Sequence, residues 1–332
     1  MSDPGTTDTT GKAGTAGTAG TAGTAGTEAA GTVVVRRESA EPRIPLQRRD
    51  SGAARGPAVQ ARRIGLYLLM GVLSVIFLIP MIWLTSTSLK SQGQVFAYPP
   101  VWVPNPIRWS NYVEAMTRAP LLVWLSNTFV ITFFALAGTL LSSSLVAFGF
   151  ARLRFPGRRV LFVLLLSTMM LPDVVTLVPQ FVLFRSLGWV NTFLPLTVPA
   201  FLGGGAFNIF LVRQFYLTIP RDFDEAARID GASNLRIWWH IMLPLSRPVL
   251  IAVGIFSFVY HWNDFLLPLI YLQSEGNKTL ALGLRAFISP TDASWNVSMA
   301  ASMFLVIPVL IVFFVAQRQF IRGVVMTGIQ GR

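Results

Sequence analysis

The 332-residue sequence predicts an all-α integral membrane protein with six transmembrane helices and both termini in the cytoplasm. Three observations carry this. Hydrophobic residues make up 53% of the chain and charged residues only 13%, where soluble domains carry about 25% charged residues. Six apolar runs reach the ~20 residues a helix needs to cross the hydrocarbon core. The arginines fall on alternate loops, the bias that sets orientation.

Residues 1–61 form a region of their own. Gly-Thr-Ala triplets fill 11–32, and an Arg-rich, Pro-containing stretch follows. This composition has almost nothing to bury, so a disordered basic tail is expected. Its charge suits the anionic inner leaflet. The first apolar run starts at Ile64, too far along for a signal peptide, so the first span is expected to be an uncleaved anchor. The net charge of +12 does not point to nucleic acid, because the basic residues flank apolar runs and form no stripe interleaved with aromatics. With no cysteine, disulfides and thiolate chemistry are excluded.

From residue 62 to 332 the chain reads as one membrane domain. Span one is Ile64–Leu84 and span two Leu121–Phe150, both without charge. Span three, Val160–Phe184, holds Asp173 just after Pro172, where a helix break is expected. Span four, Trp189–Val212, includes Gly203–Gly204–Gly205. Span five, Val249–Leu272, holds His261, Asn263 and Asp264, and span six is Val297–Val315. Arg62 and Arg63 precede span one, and Arg152, Arg154, Arg158 and Arg159 follow span two. Arg213, Arg221, Arg228, Arg236 and Arg247 separate spans four and five, and Arg318, Arg322 and Arg332 end the chain. With an even number of spans all of these share one side, the cytoplasmic one. Trp102, Trp109, Trp124 and Trp295 fall near outer span ends, where indoles favour the membrane interface.

The segment between spans four and five is the long polar loop. Asp222, Asp224 and Glu225 sit where a helix N-terminus favours negative charge, with Asp222 and Glu225 spaced as a capping box. Ala226 and Ala227 are strong helix formers of minimal bulk. Gly231 tolerates the positive φ of a helix C-terminus. Ser233 is placed to cap a second helix through Ile241, which Pro244 should stop. The bland account is a solvated connector in which Glu225 and Gly231 only begin and end a helix.

The spacing Glu225-Ala226-Ala227, Gly231, Ile241, Leu243-Pro244 resembles the EAA loop of ATP-binding-cassette (ABC) importer permeases. The resemblance runs from about residue 64 to the end. Met170-Leu171-Pro172 through Thr176-Leu177-Val178-Pro179, Leu187-Gly188-Trp189-Val190-Asn191-Thr192, Phe207–Phe215, Trp262-Asn263-Asp264-Phe265 and Gln317-Arg318-Gln319-Phe320 are similar to the second permease of maltose-type and glycerol-phosphate-type carbohydrate importers. The repeat-rich tail departs from the usual short N-terminus of that family. The resemblance implies a type I importer transmembrane domain with its core at about 121–318 and its coupling loop at about 218–246. In that loop Glu225, Ala226, Ala227, Asp230, Gly231, Ile241, Leu243 and Pro244 would contact an ATPase. It further implies a second permease, a pair of ATPase subunits that hold the ATP and Mg, and an extracellular solute-binding protein. This chain itself would bind no cofactor and hydrolyse nothing. The excess of arginine over lysine suits a high-GC bacterium, in which that binding protein would be a lipoprotein.

Asn263 and Asp264 admit two readings: a pathway or subunit-interface site, since ionisable groups within a span are costly, or a bland one, a structural hydrogen bond between spans or a position near the outer headgroups. Asp173 admits pathway lining at a helix break. His261 reads as structural, and Gly203–Gly205 as a close helix contact. No P-loop, His-Glu-x-x-His or Gly-x-Ser-x-Gly occurs. The rival function is an ion-coupled secondary transporter using Asp173, Asp264 and His261, which leaves the EAA spacing unexplained. A nearer rival keeps the importer and changes its cargo to a phosphate ester, a peptide or another small solute.

Overall fold

The computed structural model describes residues 57–287 and 294–329, with side chains from Gln60 to Gln317 apart from Asp173 and 288–293. The expected basic tail falls almost wholly outside the described residues. Every described element is helical. Helix α1 (Pro57–Ser88) is followed by a short α2 (Gln92–Val95) and by α3 (Ser110–Arg118). Helix α4 (Leu121–Arg152) is the axis of the fold: it packs against α7 (Leu194–Phe201), α8 (Ala206–Thr218) and α12 (Arg247–Trp262). Helices α5 (Arg158–Ser167) and α6 (Asp173–Ser186) lie between them in sequence. After α8 come α9 (Asp222–Ile229), α10 (Asn234–Ile237) and α11 (Leu243–Leu245), and after α12 come α13 (Leu266–Tyr271), α14 (Leu280–Gly283) and α15 (Trp295–Ile329).

Four helical stretches are each long and apolar enough to cross a bilayer: Gln60–Ser88, Leu121–Arg152, Leu194–Thr218 and Trp295–Gln317. Two bent pairs, Arg158–Met170 with Val174–Ser186 and Asn234–Leu245 with Arg247–Trp262, raise the count to six if each is one crossing. The first pair turns by 103° around Leu171–Pro172, where proline removes a donor and pushes its predecessor out of the α region. Span four continues past its expected end through α8. Arg213 therefore lies within the helix rather than in a loop. Its guanidinium stacks on Phe162, 4.1 Å from the ring centroid, and Nε donates to the Phe150 carbonyl at 3.4 Å. Span five does not run unbroken to Leu272, because Asn263–Phe265 separate α12 from α13.

Three clusters fill the interior. One surrounds the C-terminal end of α4, with Ala147, Phe148, Ala151, Ile209, Val212 and Tyr216 at its centre. A second surrounds the start of α4, around Leu121, Trp124, Leu280 and Val297. The third joins Ile131, Phe184, Leu196 and Tyr271. Trp124 is therefore no interface anchor: it is fully buried, and its indole N–H donates to the Glu275 carbonyl at 3.0 Å. Gly283 lies so near that a Cβ there would come 2.1 Å from the Trp124 ring. We expect Gly283→Ala to lower the melting temperature of the purified protein by several degrees, as overpacking costs about 1–3 kcal/mol, and thermal denaturation would show it. Lys90, just beyond α1, is also buried, its Nζ 3.7 Å from the centroid of the Trp83 ring, and burial lowers the pKa of its ammonium.

Candidate functional site

The loop between α8 and α12 is built as a helix, a left-handed turn and a second helical stretch. Asp222, Asp224 and Glu225 occupy the first turn of α9, where they oppose the positive end of the helix dipole. The expected capping box is not formed. The cap position is Arg221 and carries no side-chain hydrogen bond, because Asp222 is already the first helical residue. Gly231 has φ +78°. Its N–H donates to the Arg228 carbonyl at 3.0 Å, and the Ala232 N–H to the Ala227 carbonyl at 2.9 Å. These are the two bonds of a Schellman motif, which needs a left-handed residue at this position. Ser233 then accepts from the Arg236 N–H at 3.4 Å and starts α10, as expected.

Pro244 does not stop the second helix, which runs on to Leu245 before an 81° bend at Ser246. Pro244 has no N–H for the His240 carbonyl. The preceding turn widens into a π-helical segment over Trp238–Met242, and the Leu243 N–H reaches the Trp238 carbonyl. Residues bound to a proline commonly shift register in this way.

The structure divides the motif into two faces. Ala227 is buried in the cluster at the end of α4, and Ile241 and Leu243 pack against it. Glu225, Ala226, Asp230, Gly231 and Pro244 are exposed. Beside them stand Phe223, Ile229, Leu235 and Trp239, four large apolar side chains left exposed on a polar loop.

Asp224, next to Glu225 in sequence, points the other way. Its carboxylate Oδ2 lies 3.3 Å from Nε of Arg152, the last residue of α4, and the two side chains are 6% and 2% exposed. Arg152 Nη2 also donates to the Ile219 carbonyl at 2.8 Å, while Asp224 Oδ1 finds no donor among the described residues. By contrast, the pairs Glu114–Arg118 and Glu275–Lys278 lie at the surface. Spacing did not reveal this contact. Arg152 read as one of several topology-setting arginines and Asp224 as a helix-dipole charge. The one available signal was a base ending an apolar helix and an acid opening a short polar one, 72 residues apart in sequence. A polar cleft of about 630 Å³ opens beside the pair, lined by Arg154, Arg221, Arg228 and Glu225 among others.

The second group of expected residues is dispersed. Asn263 is exposed, and its Nδ2 donates to the Val259 carbonyl at 2.9 Å, closing α12. Asp264 accepts from the Leu267 N–H at 3.3 Å, which starts α13, and also lines a separate pocket of about 170 Å³ together with His261. Asp173 opens α6, and its side chain lies outside the described residues.

Residues 139–326 match the model of the binding-protein-dependent transport system inner membrane component family. The chain belongs to this family. This permease is 35% identical over 266 residues to the sn-glycerol-3-phosphate transport system permease protein of Yersinia enterocolitica, covering 78% of this chain and 93% of that one. It is 34% identical over 281 residues to the diacetylchitobiose uptake system permease protein of Streptomyces coelicolor, covering 83% and 92%. A chain in the crystal structure of a bacterial ABC transporter that imports the acidic polysaccharide alginate superposes with a TM-score of 0.69 at 26% identity, covering 80% of this chain and 98% of that one. The permease is thus a multi-pass subunit of an ABC importer in the bacterial plasma membrane, with a type I transmembrane domain.

Proposed function

We propose that this permease forms, with a second permease, the pathway for a carbohydrate, and that an ATPase drives it through the loop from Glu225 to Pro244. Both termini and this loop face the cytoplasm. ATP and Mg bind the partner ATPase pair, and this chain contributes no catalytic group. An extracellular solute-binding protein, a lipoprotein in a single-membrane cell, delivers the cargo.

The observation that carries the coupling role is the buried Arg152–Asp224 pair in a loop that leaves four large apolar side chains exposed. A transmitted push needs a surface to receive it and a stiff connection to the helices it moves. Phe223, Ile229, Leu235 and Trp239 offer the surface, since exposed apolar patches of this kind mark contact sites. The Schellman turn, the buried Ala227 and the Arg152–Asp224 pair tie that surface to α4.

Replacing Glu225 by Lys, or Gly231 by Val, is expected to abolish ATP-driven uptake while the permease still reaches the membrane. At Gly231 a Cβ would meet nothing within 4 Å, so the expected cost is the left-handed backbone strain of about 1–2 kcal/mol, confined to the turn. Uptake assays in vesicles, with immunoblots of membrane level, test this, and normal uptake in both variants would refute the coupling role. A pull-down in mild detergent should recover an ATPase, a second permease and a binding protein. Transport by the purified chain alone under an ion gradient would favour the secondary-transporter reading.

The likeness to a glycerol-phosphate permease favours a second cargo, a phosphate ester. It differs from a sugar in charge, and charge can be read from the lining of the pathway.

A further inference from the structure

We infer that the polar cleft between the end of α4 and α9 is a binding site for a phosphate group, carried by an anionic phospholipid or by a soluble phosphate. This goes beyond coupling, because it gives the loop a ligand of its own. The cleft measures about 630 Å³, within the ~300–1,000 Å³ usual for ligand pockets. It therefore has room for a phospholipid headgroup.

The charge of the lining is uneven. Arg152 and Asp224 belong to it but answer each other at 3.3 Å. Arg154, Arg221 and Arg228 remain, against Glu225 alone. Glu225 stands four residues after Arg221 and three before Arg228, so the three share one face of α9. Glu225 could pair with either arginine at ordinary helical spacing, yet it pairs with neither. Arg154 comes from the loop after α4, 67 residues before Arg221. The guanidiniums of Arg154, Arg221 and Arg228 make no ion pair or hydrogen bond among the described residues. Arg221 also adds like charge near Arg152. A cleft lined by one sign of charge focuses its field and gathers counter-ions.

Depth and chemistry decide which anion. Helix α4 is long and apolar enough to cross a bilayer and ends at Arg152. Arg154 and the exposed Phe155 follow directly. The cleft thus opens where a crossing helix leaves the hydrocarbon, the level of phospholipid phosphates. Basic pockets between membrane helices at this level hold acidic headgroups. Guanidinium forks match phosphate oxygens in bidentate fashion. Phe155, which also lines the cleft, sets an apolar wall beside the arginines, suited to the glycerol end of a lipid. An acidic segment of a soluble protein fits this depth less well.

The test uses the intact importer complex in lipid nanodiscs. Binding is read without turnover, so the result does not depend on whether the loop couples an ATPase. In discs containing phosphatidylglycerol, native mass spectrometry is expected to find that lipid retained on the complex. In discs of phosphatidylcholine alone, equilibrium dialysis with radiolabelled inorganic phosphate reads the soluble source. Retained lipid without phosphate binding assigns the lipid, the reverse assigns the free anion, and binding in both discs means that the cleft accepts either. ATPase subunits bind phosphate as well, so the signal is the part that cleft variants remove. R154Q/R221Q/R228Q should remove it from a complex of unchanged subunit composition. R154Q alone should weaken it about tenfold, the scale of one charge-assisted hydrogen bond. Arg154 lies outside the Glu225 to Pro244 loop, so this single variant decides the matter if the triple one fails to assemble. Arg236→Gln replaces an exposed arginine of the same loop that does not line the cleft and should leave binding unchanged. No binding in either disc, binding unchanged in R154Q, or an equal loss in Arg236→Gln would each overturn the site. In the first case the arginines face an acidic surface of a partner protein instead.

Discussion

Arg152→Ala is expected to destabilise the permease by about 3–5 kcal/mol, because it strands Asp224 as a buried, unpaired carboxylate. The pair is 3.3 Å apart with both side chains almost fully enclosed, and Asp224 Oδ1 already lacks a donor among the described residues. Asp224→Ala should cost a similar amount by stranding the guanidinium. Thermal melting of the purified complex measures both. The sharper experiment separates stability from coupling. Replacing a buried ion pair by apolar residues of similar volume is often neutral or stabilising, so R152M/D224L should fold and assemble. If the pair transmits the movement of α9 to α4, this double variant will be stable yet import poorly, with ATP hydrolysis no longer matched to uptake. Full uptake by the stable double variant would show that the pair only holds the fold. The exchanged pair R152D/D224R should recover part of the melting temperature lost in either single variant, and no recovery would mean that the two charges do not act on each other.

Gly204→Ala is expected to disrupt the contact between span four and α4. Gly204 has φ +63°, and a Cβ there would lie 2.8 Å from the Thr139 carbonyl oxygen and 2.9 Å from the Ser143 nitrogen. Both are backbone atoms of α4 and cannot swing aside. The strain of the left-handed conformation, about 1–2 kcal/mol, adds to overpacking of about 1–3 kcal/mol. Ser142 reinforces the contact by donating to the Ala200 carbonyl at 2.7 Å. Gly203→Ala is the control, since nothing lies within 4 Å of its Cβ. Membrane levels and melting of the two variants should differ clearly, and equal behaviour would refute the close-approach argument.

The sequence by itself determined the class of the protein, its main apolar runs and the position of the polar loop between spans four and five. Hydrophobic runs, arginine placement and the Glu225 to Pro244 spacing are local signals. Each depends on residues close together in the chain, so each survives without coordinates. The break at Pro172 and the turn at Gly231 were legible for the same reason, because proline and glycine act on their own backbone.

Other features were settled only by the tertiary structure. Whether Asp224 only faces a helix dipole or also pairs with Arg152 depends on where α4 ends in space, and no spacing rule spans that separation. Trp124 read as an interface anchor because it opens an apolar run, yet α14 and the Glu275 carbonyl enclose it. Pro244 read as a stop because local rules count only the lost donor. Packing of Trp238 and Met242 into the α4 cluster holds the helix together through a widened turn. Asp264 read as either pathway or structural hydrogen bond. In the fold it accepts the Leu267 N–H at the start of α13 and lines the pocket beside Tyr271. Which face of a helix is buried, and which polar group meets which, is fixed by the packing of segments far apart in the chain.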